Sequence, residues 1–122
     1  MVDALGNPLA FHLTGGQAHD LEGSDVFLPQ MQAPALLADK AFDADKRVIE
    51  PLLAAGKTAV IPSVPGRSRK RAYDQELYEE RHLIENFFCN LKQFRAIATR
   101  YDKRAVNFLA GVYAAAIVIW LN

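Results

Sequence analysis

The chain has 122 residues, 51% of them hydrophobic and 23% charged, a globular composition that fits one domain or part of one. That balance excludes a disordered tail, a collagen-like repeat and a low-complexity linker, and the one cysteine, Cys89, excludes an intrachain disulfide or a multi-cysteine zinc site. The net charge of zero conceals opposed halves: residues 1–56 carry eight acidic and three basic side chains, residues 57–122 six acidic and eleven basic. The basic half is either a surface for a polyanion or an ordinary solvated face, and charge alone leaves both open.

In chain order, Gly6-Asn7-Pro8 is a turn signal between two short apolar runs, which predicts a β-hairpin over residues 1–14. Leu9, Phe11 and Leu13 would share one face, and Gly15-Gly16 would end it. Within residues 17–30, Asp20, Glu22 and Asp25 precede Val26-Phe27-Leu28, which suggests a short helix stopped by Pro29. Ala35-Leu36-Leu37-Ala38 is a continuous apolar run, the pattern of a strand buried on both faces. Asp43 is placed to cap a helix that buries Val48, Leu52 and Leu53, and Gly56 stands where a C-terminal cap belongs. Thr58-Ala59-Val60-Ile61 is a second strand closed by Pro62. Residues 35–61 therefore read as a strand-helix-strand unit with parallel strands and a right-handed crossover.

Residues 62–73 form a basic loop with Arg67, Arg69, Lys70 and Arg71. Asp74 caps a predicted long helix over 74–97, whose apolar positions are Leu77, Leu83, Ile84, Phe87, Phe88, Leu91 and Phe94. A last helix covers 105–121, with fourteen uncharged residues from Phe108 to Leu121. A bilayer span needs roughly 20 residues, so this helix reads as one that packs into a core or against a partner. There is no internal repeat. No basic region followed by an apolar stretch opens the sequence, so no signal peptide is read, and a reducing, cytoplasmic setting fits. Cys89 reads as a small buried or half-buried residue.

On one continuous helix, Tyr78, Arg81, Glu85 and Lys92 would fall within an arc of roughly 60°. They form either a stripe of functional groups or a set of ion pairs on a solvated face. Asp39 is the first polar residue after a predicted strand, at the strand end where open α/β sheets handle ligands; the plainer reading is a loop cap or a pair with Lys40. Asp43 and Asp45 are less suggestive, because a helix start accommodates acids. Carboxylates from separate elements can hold a pair of Mg²⁺ ions for phosphoryl transfer. His12, His19 and His82 are scattered and have no zinc-ligand spacing. No glycine-rich phosphate loop is present, which argues against nucleotide hydrolysis.

Tyr78-x2-Arg81-x3-Glu85-x6-Lys92 resembles the signature of DDE-type insertion-sequence transposases. Leu37-Ala38-Asp39-Lys40-Ala41-Phe42-Asp43 is similar to the family's segment around its second catalytic aspartate. VDALGNPLAFHLT, QAHD, IENFFCNLKQFRAIATRYDK and the apolar C-terminal helix also resemble that family, so the likeness covers essentially the whole chain. The resemblance implies an α/β, ribonuclease-H-like mixed sheet with flanking helices, and metal-dependent DNA cleavage and strand transfer using Mg²⁺ or Mn²⁺. Asp39 and Glu85 would be the second and third catalytic acids and the metal ligands. Arg81 and Lys92 would contact DNA near the scissile phosphate, with Tyr78 in contact or support. The cationic loop Arg67, Arg69, Lys70 and Arg71 would also meet DNA, both transposon ends and target.

One departure accompanies the likeness. The family's first catalytic aspartate precedes the segment resembling VDALGNP, and Asp3 does not match its context. The expectation is a sheet lacking its first strand, an exposed sheet edge, and a chain inactive alone. It would be the C-terminal half of a transposase, completed by an upstream reading frame or left as a remnant. Homo-oligomerisation is a further possibility, and the setting would be bacterial, cytoplasmic and nucleoid-associated, with no membrane. The alternative is a non-catalytic DNA-binding or inhibitory fragment.

Overall fold

The apolar runs either side of the predicted crossover pair as expected. In a computed structural model, which describes residues 1–15, 19–100 and 103–122, β1 (Ala35–Leu37) and β2 (Thr58–Val60) form a parallel two-stranded sheet. Ala35, Leu36 and Leu37 lie opposite Thr58, Ala59 and Val60. β1 is half-buried rather than enclosed, whereas Val60 and Ile61 are fully buried. The connection is a 3₁₀ turn (Lys40–Phe42), a π-helical turn (Asp45–Ile49) and helix α2 (Glu50–Ala54). Ala44, not Asp43, occupies the N-cap position of this helical segment, and Leu53 faces solvent while Val48 and Leu52 are buried. The far end closes as Gly56 suggests: its φ is +69°, its N–H donates to Leu53 O, and the Lys57 N–H donates to Leu52 O. That is the paired C-terminal closure that glycine permits because it has no Cβ to clash.

α1 (Leu21–Phe27) lies inside the segment expected to be helical and runs into a 3₁₀ turn at Leu28–Gln30. Gly16, Gln17 and Ala18, which include the start of QAHD, lie outside the described residues, as do Tyr101 and Asp102.

Two expectations need correction. The hairpin over 1–14 is reduced to one antiparallel bridge, Val2 with Pro8. Its turn is held by the Asp3 carboxylate, whose Oδ1 accepts the N–H groups of Leu5 (2.8 Å) and Asn7 (2.9 Å). Of the alternating face, Phe11 packs inward while Leu9 and Leu13 stay exposed. The predicted helix over 74–97 is three pieces: α3 (Gln75–Glu79), α4 (His82–Lys92) and α5 (Arg95–Ala98). No glycine or proline marks the α3–α4 break. Glu76, Glu79 and Glu80 supply the physical reason: as i,i+3 and i,i+4 neighbours they repel, and acids oppose the dipole at a helix C-terminus. Just ahead of α4 the same charges are favoured.

Contacts divide the chain into two compact units, one of Met1–Leu13 with His82–Asn122, the other of Thr14–Arg81. The core of the second is Met31, Val48, Ile49, Leu52 and Ile61. In the first, Phe87 and Leu91 of α4 pack on Val112, Ala115 and Ala116 of α6 (Ala105–Leu121). Phe11 joins this core by stacking on Phe87 with ring centroids 5.7 Å apart. The other side of α6 is apolar and open, with Val106 79% and Trp120 62% exposed. Among the described residues, no helix is long and apolar enough to cross a membrane. Cys89, expected to be at least half-buried, is exposed, because α4 turns Phe87 and Leu91 inward and Cys89 away from them.

Candidate active site

Asp39 stands just beyond β1, two residues past its last paired position, Leu37. Its backbone is extended, and its half-buried side chain caps the following 3₁₀ turn: Oδ1 accepts the Ala41 N–H at 2.8 Å. Oδ2 has no hydrogen bond among the described residues, which leaves one carboxylate oxygen at the C-terminal end of a parallel strand for a ligand.

The basic loop is divided in its duties. Val64-Pro65-Gly66-Arg67 is a turn, with Gly66 at φ +86° and the Arg67 N–H donating to Val64 O. Proline then glycine at the two central positions is the demand of a type II turn. The turn carries Arg67 back onto the acids after β1. Its Nε donates to Asp43 Oδ2 at 3.0 Å, and its Nη1 lies 3.0 Å from Asp45 Oδ2. Arg71 adds Nη1 to Asp45 Oδ1 at 2.7 Å and pairs Nη2 with Asp43 Oδ1. The Val64 N–H also donates to Asp43 Oδ2, at 2.8 Å. The Asp43 side chain is fully buried in this clasp. Arg67 and Arg71 are thus committed to ion pairs, whereas Arg69 and Lys70 are exposed and have no ion pair among the described residues.

Tyr78 lies in α3, caught between two neighbours: the Tyr73 ring meets it edge-on at 5.5 Å, and the Arg81 guanidinium sits over its face at 5.7 Å. The break before α4 ends the expected single arc of Tyr78, Arg81, Glu85 and Lys92. Tyr78 and Arg81 belong to the second unit, Glu85 and Lys92 to the first. Glu85 and Lys92 are both exposed, in the first and last turns of α4, and share one face of it because seven residues make nearly two turns. His82 starts α4.

Asp43 is the residue that sequence reasoning undervalued. The signal was available in the pairing of Asp43 and Asp45 with two arginines four apart in a Pro-Gly loop, but the partners are 24 residues distant in sequence. Among the described residues, no three His, Cys, Asp or Glu side chains gather closely enough to hold a metal ion. The donors Asp39 and Glu85 are hard carboxylate oxygens, the type that Mg²⁺ and Mn²⁺ prefer, so the chemistry of the donor set fits such an ion.

Comparison with known proteins decides the family. The model of the transposase DDE domain matches residues 1–121. This chain belongs to the transposase DDE domain family. It is also 39% identical, over 125 aligned positions, to a Brucella ovis protein named "Putative transposase for insertion sequence element IS6501"; the match covers 100% of this chain and 95% of that one. No solved structure matches the chain. Membership supports a transposase role, and DDE domains depend on metal ions in general. The α/β pattern here, a small parallel sheet with flanking helices, is compatible with such a domain.

Proposed function

We propose that the chain is the part of a DDE transposase that carries its second and third catalytic acids, Asp39 and Glu85, within a ribonuclease-H-like fold. The observation that carries this reading is the family match along the whole chain, together with a carboxylate oxygen left open where a parallel strand ends. Asp39 and Glu85 would hold Mg²⁺ or Mn²⁺, which polarises a phosphoryl oxygen and makes water, then a DNA 3′-hydroxyl, a stronger nucleophile. Asp39 presents Oδ2 while its capped Oδ1 fixes the carboxylate. Lys92 and Arg81 neutralise phosphates near the scissile bond, and Tyr78 holds the Arg81 guanidinium against its ring. Arg69 and Lys70 hold DNA farther away, with Arg67 and Arg71 keeping their loop in shape.

Asp39 and Glu85 would be two of the three carboxylates that the resembled chemistry uses. The chain would act on transposon-end and target DNA in a bacterial cytoplasm. The test is mobilisation of the insertion sequence in cells. Asp39→Asn or Glu85→Gln, introduced in the element's own coding sequence, should abolish transposition while protein levels hold. Transposition at the parental frequency by either variant defeats the reading. The exposed Arg69 and Lys70 favour a second reading, a DNA-binding fragment without catalysis. Such a fragment would bind DNA equally well in EDTA and be indifferent to Asp39→Asn.

A further inference from the structure

The stretch 91–104 carries Lys92, Arg95, Arg100, Lys103 and Arg104 against one acid, Asp102. Only Lys92 belongs to the signature. Part of this charge surrounds an open cleft of about 580 Å³ inside the first unit, between the end of α4, α5 and the start of α6. Its volume lies in the range of ligand sites. Among the described residues Lys92, Arg100 and Lys103 line it, no carboxylate does, and none of the three has an ion pair.

Two aromatic rings also line the cleft. The Arg100 guanidinium lies over the Phe108 ring at 5.7 Å, which sets a planar cation in the wall. Arg100 reaches that place with φ +46°, a left-handed conformation that a side chain with a Cβ adopts at a cost. Phe88 is 46% exposed and meets Phe87 edge-on at 5.8 Å, so its own ring is available to a ligand.

We propose that this cleft binds an unstacked nucleotide of a single DNA strand, with phosphates on Lys92, Arg100 and Lys103 and a base against Phe88. Cations that follow a backbone, beside an aromatic ring that stacks a base, are the recurring elements of single-strand sites. A duplex satisfies only half of the arrangement, because its bases are stacked on one another and offer no face to Phe88. The inference rests on the reading of the chain as a DNA-handling protein, but needs no catalytic acid.

The experiment measures binding of fluorescent oligothymidine, and of a duplex of matched length, to the full chain in EDTA across a salt series. Arg100→Gln with Lys103→Gln should remove two phosphate contacts, weaken oligothymidine binding at least tenfold at low salt, and flatten the log–log salt slope by about 1.4. Phe88→Ala should weaken oligothymidine about tenfold, leave the salt slope and the duplex affinity unchanged, and be restored by Phe88→Trp. Circular dichroism and melting of each variant report whether it folds; Phe88→Trp keeps the test open if Phe88→Ala does not. Three results overturn the proposal: equal losses on single strand and duplex, oligothymidine binding that ignores Phe88, or no binding at all. Oligothymidine binding that depends on Phe88 and Arg100, alongside transposition indifferent to Glu85→Gln, would uphold the cleft and remove the catalytic reading.

Discussion

At the residue scale, two aspartates four apart exchange the roles that their positions suggest. Asp39 ends a strand and caps a turn with one oxygen; Asp43, where a helix cap is expected, is a buried anchor for two arginines. Removing one member of a buried ionic cluster strands the others. Asp43→Ala should therefore lower stability by about 3 kcal/mol, and Asp43→Asn by less, because the amide oxygen still accepts the Val64 N–H. Urea denaturation measures both. Arg69→Gln with Lys70→Gln should stay within about 0.5 kcal/mol of the parent and weaken DNA binding instead. Asp3 gives a pH prediction. Desolvation raises its carboxyl pKa, but hydrogen bonds from Asn7, Leu5 and Gly6 outweigh that and hold it below the ordinary value of 3.8. A depressed carboxylate stabilises above the unfolded pKa, so the turn at residues 3–7 should hold above about pH 4 and loosen as pH falls through the lowered folded value. The Asn7 amide resonance follows this directly, and Asp3→Asn should remove the pH dependence.

At the scale of elements, local signals were legible where the residues that decide a shape are neighbours. The strand-helix-strand segment, the Gly56 closure, the Asp74 cap and the bounds of α6 all rest on chemistry within a few residues. The Asp74 carboxylate accepts the Leu77 N–H at 2.9 Å, and α3 is only five residues long. Asp74→Ala should cost about 1 kcal/mol and unravel α3, with loss of the Tyr73–Tyr78 ring contact from the near-ultraviolet dichroism. Continuity between α3 and α4 was not legible, because apolar spacing persists across the break and acid repulsion, not a glycine or proline, ends α3. The same reasoning explains the candidate site. Glu85 and Lys92 share a face of one short helix, as periodicity suggested, whereas the duties of Arg67 and Arg71 depended on partners far along the chain. The N-terminal hairpin failed for lack of pairing: Asp3 fastens its turn, but alternation in Leu9, Phe11 and Leu13 without a neighbouring strand does not make a sheet.

At the scale of the whole molecule, the second unit is inserted into the first. The chain leaves one core after Leu13 and returns to it at His82, inside the signature. The two cores share no buried residue. Leu52→Ala in one and Phe87→Ala in the other should each cost about 2–5 kcal/mol, and the double variant should show their sum to within about 0.5 kcal/mol. Calorimetry or denaturation followed by amide exchange checks this; a large coupling term would show that the cores melt as one. Such an insertion is hard to read from a linear sequence: Gly15-Gly16 marks the first crossing, but no linker composition marks the return between Arg81 and His82. The open face of α6 has a practical consequence of its own. Trp120 is the single tryptophan of the chain and stands largely exposed there. Its emission should lie at the long wavelength of a hydrated indole and be readily quenched by acrylamide. Whatever comes to cover that face will shift the band to the blue, so the protein carries a built-in optical gauge of its own concealment.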